Sequence, residues 1–548
     1  MSNIIGKVTA TEHSPTSCNV VRFWVEDGVV IRPFDIVRIQ HLLSSYTYAI
    51  VTDLTYITDS PGHLANYVSS DFGDISVDPL NKRIGTTIAE AEILYNTAEI
   101  EMPVRDGAPV EWADVDGIRH ALGLRNDLKH PIPAGYMRMS NNTEVPVEVY
   151  ADYVLGPEGA HLNIAGISGL ATKTSYAMFL LSSVQQRLGS EVTIIIFNVK
   201  GKDLLAVDRP NENLTDEQRS EWIKCGLEPK PFDNVTYLYP YAEKPRANYT
   251  SSHVEPAILN EQIERGVAFN YFYDVNTAIS RFGHLFSDID DPNSTMESII
   301  HYLQETEWES WGDLREKVEQ HARANSQGNN RDKEITVNSW RKFKRLLRSR
   351  TEHDVFRERA CTDVGKRRQT TILEAIRKVE KGSVLVIDIE PLPDYLQCMV
   401  VGDVVNTVYG AKLGDIEDVE PSRLGTVVIF ADELNKYAPK EGSVRPLTKT
   451  LLDVTERGRS LGLILFGVEQ FRSGVHDRIL GNCSTNVYGR TNPIEISKCP
   501  DYRFFHDTHK STLTRLPKGN LLLQHAVFKT QLINVRFPVP CYYQPKVR

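Results

Sequence analysis

Cysteine is scarce and scattered in this chain. Seven residues, at 18, 225, 361, 398, 483, 499 and 541, form no CxxC pair, so neither a zinc site nor a disulfide framework is indicated. No apolar run reaches the length of about 18 residues that a membrane helix needs. The stretch MSNIIGKVTATEH has no basic region followed by an apolar one, unlike a secretory signal. The expectation is a cytoplasmic protein with no membrane partner. Internal repeats and low-complexity tracts are also missing.

An excess of positive charge is missing too. Against 62 Lys and Arg stand 72 Asp and Glu, a formal net charge of −10. Proteins that coat DNA are usually basic. Any DNA contact here must therefore be local, as in a ring that is acidic outside and basic along its channel.

What remains is ordinary globular material, with 41% apolar and 24% charged residues over 548 positions. That length allows about two to four domains. Residues 1–110 read as β: NVVRFWVED, IRPFDIVRIQ and YTYAIVTDLTYI are rich in Val, Ile, Tyr and Phe and bounded by turn formers, the pattern of a small barrel or sandwich. From 146 the rhythm alternates. HLNIAGI is a short apolar strand, SYAMFLLSSVQQRLG an apolar helix and VTIIIFNVKG a continuous apolar strand. Such strands suit a parallel sheet covered on both faces. Residues 206–379 are polar and helix-like and read as a helical insertion. The αβ rhythm returns at SVLVIDIEPLP, GTVVIFADELNKY and LGLILFGVEQF, and NLLLQHAVFKTQLINVRFPVP closes the chain as a hairpin. The expected division is 1–110 barrel, 146–205 with 380–548 α/β core, and 206–379 insertion.

Between the first core strand and its helix lies NIAGISGLATKTSY, Asn163 to Tyr176. A phosphate-binding loop needs backbone N–H groups around an anion, a lysine beside the β- and γ-phosphates and a hydroxyl for Mg²⁺. Lys173 and Thr174 supply the last two. Gly166 stands one residue too far from the lysine, and Thr172 replaces the second glycine. The strand before and the helix after it favour an anion site over a plain turn. The candidate nucleotide contacts are Gly166, Ser168, Gly169, Ala171, Thr172, Lys173, Thr174 and Ser175.

Two acids, Asp432 and Glu433, end the strand TVVIFAD. Asp432 with Thr174 is the candidate Mg²⁺ site, and Glu433 the base that polarises water. Asp388 and Glu390 form a rival pair, but Ile389 separates them. Downstream, TERGRSLGLILFGVEQ places Arg457 and Arg459 before an apolar strand and Gln470 at its end. An arginine so placed can reach a neighbouring subunit's nucleotide, and the glutamine can sense the γ-phosphate. A solvated helix end and a strand-end cap are the plainer readings.

A β-rich start, this loop, a polar insert, FADELNKYAP, ERGRSLGLILFGVEQ and NCSTNVYGR together resemble HerA-type ATPases, of the HerA/FtsK branch of hexameric DNA-translocating motors. The resemblance implies an α/β fold: a RecA-like P-loop ATPase core with an N-terminal small β-barrel and a helical insertion. It implies ATP and Mg²⁺ as cofactors, and Lys173, Thr174, Asp432, Glu433, Arg459 and Gln470 in the family's roles. It implies a homo-hexamer around double-stranded DNA, working with a separate effector such as a nuclease or a sirtuin-like NAD hydrolase, in antiphage defence. DNA end processing, or a nucleotide-gated scaffold without translocation, are the alternatives. The chain departs from the family in Thr172, in Asn198 where an aspartate is frequent, and in Leu434 and Asn435 after the two acids. Two basic stretches are DNA candidates: SWRKFKRLLRSR, otherwise a solvated helix face, and the loop bearing Lys436, Lys440, Arg445 and Lys449.

Overall fold

The structure, a computed structural model, describes residues 4–74, 76, 84–124, 129–167, 172–243, 247–289, 291, 294–323, 335–358, 368–442 and 445–545. The chain forms two compact units.

The first holds residues 1–129, 133–148 and 488–537. Its centre is a closed barrel of six antiparallel strands, in the order Ile4–Val8, Val20–Val25, Gly85–Asn96, Tyr46–Thr58, Ile36–Gln40, Pro109–Trp112 and back to the first. Alternation builds it: Val21, Phe23 and Val25 point inward with Val37, Ile39, Ala49, Val51, Ala89 and Ala91. Closure leaves no strand edge unpaired. The helix Asp507–Arg515 belongs to this unit. Thr508 Oγ1 donates to Asp53 Oδ1 at 3.2 Å, and His509 stacks on Phe34.

The second unit holds residues 130–132, 149–487 and 538–548. Its sheet runs Gln369–Thr370, Ala268–Tyr271, Val235–Pro240, Val384–Asp388, Val192–Asn198, Thr426–Asp432, Leu463–Glu469, Leu162–Ala165 and Thr485–Tyr488. The pairings from Gln369–Thr370 to Leu162–Ala165 are all parallel. The central strands are buried on both faces, as their unbroken apolar sequences require. Helix Thr172–Leu188 packs on Leu162–Ala165, Val192–Asn198 and Leu463–Glu469. Helices Asp394–Leu413 and Pro446–Leu461 pack together in the larger core cluster. Asp394–Leu413 is apolar around most of its girth, which suits a helix enclosed on all sides. Pro446 opens the second helix. Gly462 ends it at φ 64°, one residue before the strand Leu463–Glu469.

Two features differ from the sequence reading. Residues 206–379 are not purely helical: Val235–Pro240, Ala268–Tyr271 and Gln369–Thr370 join the sheet. These strands are short and lie between polar segments, so no long apolar run marks them. The hairpin Asn520–His525 and Ile533–Arg536 groups with the barrel unit instead of the core. Its second strand pairs with Pro131–Arg138 through Arg536 and Tyr136. No helix among the described residues is long and apolar enough to cross a membrane.

Candidate functional site

Parallel register sets the site. Asp432 lies opposite Val468, and Glu469 opposite Ala165. The acid strand and the loop strand therefore end at the same, C-terminal edge, with Leu463–Glu469 between them. Ligands bind at that edge of such sheets. Gly166 leaves the loop strand there, its N–H donating to Glu469 O at 3.3 Å.

Helix Thr172–Leu188 returns Lys173 and Thr174 to this edge. Thr174 Oγ1 donates to Asp432 Oδ2 at 3.2 Å, joining residues 258 positions apart. Asp432 Oδ1 accepts from Glu433 N at 2.8 Å. Lys173 Nζ donates to Gly166 O at 2.6 Å. Burial pulls the Lys173 ammonium below the usual lysine range; Asp432 opposes this and Lys200 adds to it.

The loop strand thus neighbours an inserted strand, and the acid strand lies beyond it, with lysine and hydroxyl at the start of the next helix. The core has the RecA-like P-loop fold. Its donor set suits a magnesium nucleotide: a part-buried ammonium, a hydroxyl on a carboxylate and a helix N-terminus.

No family model matches the chain, and no curated protein matches it in sequence. Among solved structures it is similar to the plasmid coupling protein TrwB in complex with ADP and Mg²⁺, at 13% identity and TM-score 0.41 over 70% of this chain and 87% of that one. It is similar to VirB4 of Thermoanaerobacter pseudethanolicus, at 15% identity and TM-score 0.42 over 75% and 97%. ATPases 2 and 3 of EssC from Geobacillus thermodenitrificans match at 11% identity and TM-score 0.30 over 76% and 46%. The fold rests on strand order and site geometry and not on these likenesses.

Glu433 follows Asp432 in the left-handed region, at φ 59° and ψ 46°. For a residue with a Cβ this costs on the order of 1–3 kcal/mol, so the surroundings must hold it. Lys200 Nζ forms an ion pair with its Oε1. Gln470 is exposed, one residue past the strand Leu463–Glu469 at the same edge. Thr172 is buried and Ser175 part-buried in the first helical turn. Ser168, Gly169 and Ala171 lie outside the described residues.

Arg459 is elsewhere. It is exposed near the end of helix Pro446–Leu461, at the opposite edge of the sheet, and its guanidinium donates to Glu158 O at 3.1 Å. Arg457 is exposed on the same last turns. Asp388 is buried and accepts from Asn198 Nδ2 at 2.8 Å, and burial raises its carboxyl to about 6. It braces a neighbouring strand end while Asp432 meets Thr174.

The sequence reading missed Glu469, which is fully buried at the end of the strand Leu463–Glu469. Its Oε2 accepts from Asn163 Nδ2 at 2.8 Å, and Arg472 donates to Asn163 Oδ1. Burial raises the carboxyl to about 8, against the pull of Arg472, Asn163 and Lys173. The available signal was an acid closing an all-apolar strand, overshadowed by Gln470 beside it.

Proposed function

We propose that this chain is an ATP-hydrolysing motor subunit of the HerA/FtsK type, acting as a homo-hexamer on double-stranded DNA with a separate effector, a nuclease or an NAD-degrading enzyme. The observation that carries the ATPase reading is the hydrogen bond from Thr174 to Asp432, with Lys173 and Glu433 beside it. Thr174 and Asp432 would hold Mg²⁺, which neutralises charge on the β- and γ-phosphates. Lys173 positions those phosphates. Glu433 accepts a proton from water as its oxygen attacks the γ-phosphorus and the bond to ADP breaks. Arg459, too far from its own Lys173, serves the neighbour's nucleotide. Divergence of the phosphate loop favours the antiphage setting over DNA end processing.

The test uses purified full-length chain. Lys173→Ala should lose nucleotide affinity, because the phosphates lose a positioned cation. Glu433→Gln should keep ATP bound yet slow turnover by at least about a hundredfold, as removal of a general base does. Unchanged affinity and turnover in both variants would remove Lys173 and Glu433 from the site, and a parent chain without ATP turnover would remove the ATPase reading.

One observation favours the scaffold alternative, in which ATP stabilises the ring without translocation. Several basic candidates for DNA contact are already paired: Lys436 with Asp394, Lys440 with Asp477, Lys344 with Glu319 and Arg350 with Asp288. Duplex DNA should raise turnover in a motor and leave it unchanged in a scaffold. Co-purification with neighbouring-gene products tests the effector.

A further inference from the structure

We propose that Lys200 is a second phosphate-contacting lysine, for whose ammonium Glu433 and the terminal phosphate of a nucleoside triphosphate compete. This rests on the ATPase reading above. Lys200 lies two residues beyond the strand Val192–Asn198, which pairs in parallel with the acid strand, Ile196 opposite Phe430. The same register sets Asn198 level with Asp432, so Lys200 and Glu433 emerge side by side at the edge that carries Thr174.

The turn that presents Lys200 is braced. Asn198 Nδ2 donates both to Asp388 Oδ1 at 2.8 Å and to Gly201 O at 3.1 Å. Asp388 is held in turn by Ser252 Oγ at 2.5 Å. Asn198, which stands where the family often has an aspartate, thus fixes the base of the loop. The Lys200 side chain is 54% exposed, against 38% for Glu433, so a ligand in solution can reach the pair.

Charge supplies the second argument. The Lys200 and Lys173 ammoniums repel each other across the pocket, while Asp432, Glu433 and Glu469 attract Lys173. Two cations, one from the start of helix Thr172–Leu188 and one from the turn after the strand Val192–Asn198, face the place where one polyanion would lie. ADP ends one phosphate short of a triphosphate, so a lysine beside Glu433 meets a group that only the triphosphate carries, whereas Lys173 also meets the β-phosphate that both carry. A lysine on a long flexible stem is suited to exchanging one anion for another. An exposed ion pair by itself contributes little to stability, so an ornamental Lys200 would leave nucleotide binding unchanged.

The experiment measures equilibrium binding, with Mg²⁺, of ADP and of a non-hydrolysable ATP analogue to the full chain. Lys200→Ala should weaken the analogue by about tenfold or more, the loss of one charge-assisted hydrogen bond, and leave ADP within about twofold. Glu433→Gln should tighten the analogue, because the competitor loses its charge. In the Lys200→Ala background that gain should disappear, since no ammonium remains to compete for. Lys200→Gln, with a melting curve, guards against a folding defect in the alanine variant. Equal loss of both nucleotides, no loss of either, or an undiminished gain from Glu433→Gln in the double variant would each overturn the proposal. If Lys173→Ala abolishes binding while Lys200→Ala does not alter it, only this inference falls. If the parent chain binds neither nucleotide, the ATPase reading falls and takes this one with it.

Discussion

Glu469 is a carboxyl that folding has taken wholly out of water, with Oε1 left without a hydrogen-bond partner. A free glutamate titrates near about 4.3, and this one is raised to about 8. The folded chain therefore binds the proton more tightly than the unfolded chain. The stability this group gives is complete below about pH 4.3 and drains away as pH rises through about 8. Asp388, raised to about 6, has the same sign over a lower part of that window. Glu469→Gln keeps an acceptor for Asn163 and removes the proton dependence. Melting temperatures at about pH 5 and about pH 8.5 should fall less in the variant than in the parent. Equal falls would mean that the carboxyl is ionised throughout. At this scale the sequence was most informative where chemistry repeats a known pattern: Lys173 with Thr174, and Asp432 with Glu433. It was silent on Glu469 and Lys200. Their importance comes from burial and from a neighbour about 230 to 300 positions away, which no local spacing encodes.

Among the elements, the strand Leu463–Glu469 bears most directly on the site, because both halves of the pocket lean on it. Gly467 lies within it, and a Cβ there would run into Leu434 Cδ2. Leu434 directly follows Glu433, so displacing it shifts the proposed base. Gly467→Ala should cost about 1–3 kcal/mol in a denaturant titration, as overpacking does. It should also slow ATP turnover while ADP affinity holds. Parent-like stability and turnover would show that Leu434 has room to retreat. The core strands of this region were legible as continuous apolar runs. Val235–Pro240 and Ala268–Tyr271 were not, because tertiary pairing and not local pattern makes strands of such short segments. The basic helix Val337–Arg350 was legible as amphipathic: Trp340, Phe343 and Leu347 are buried, with Leu346 partly so.

For the whole molecule, the two ends of that strand set a requirement on assembly. Its seven residues separate Arg459 from the Lys173 edge by about 20 Å, beyond the reach of one side chain. If Arg459 completes a site, the site belongs to another copy, which a head-to-tail ring provides. Mixing Lys173→Ala with Arg459→Ala, each inactive alone, should restore part of the ATPase activity, because some interfaces then pair an intact arginine with an intact lysine. Mixed rings that stay inactive would remove the trans role. Full activity in Arg459→Ala alone would make Arg457 the next residue to test.

The order of strands also dictates a timetable. The loop strand Leu162–Ala165 has the strand Leu463–Glu469 as a partner, and Thr174 meets an acid 258 positions later. A nascent chain thus carries its phosphate loop through most of its synthesis with that side unpaired. Chains of such long-range topology fold slowly and expose strand edges while they wait. The pocket comes into being only when the last core strands arrive, so a nucleotide cannot assist early collapse and can only seal the finished sheet.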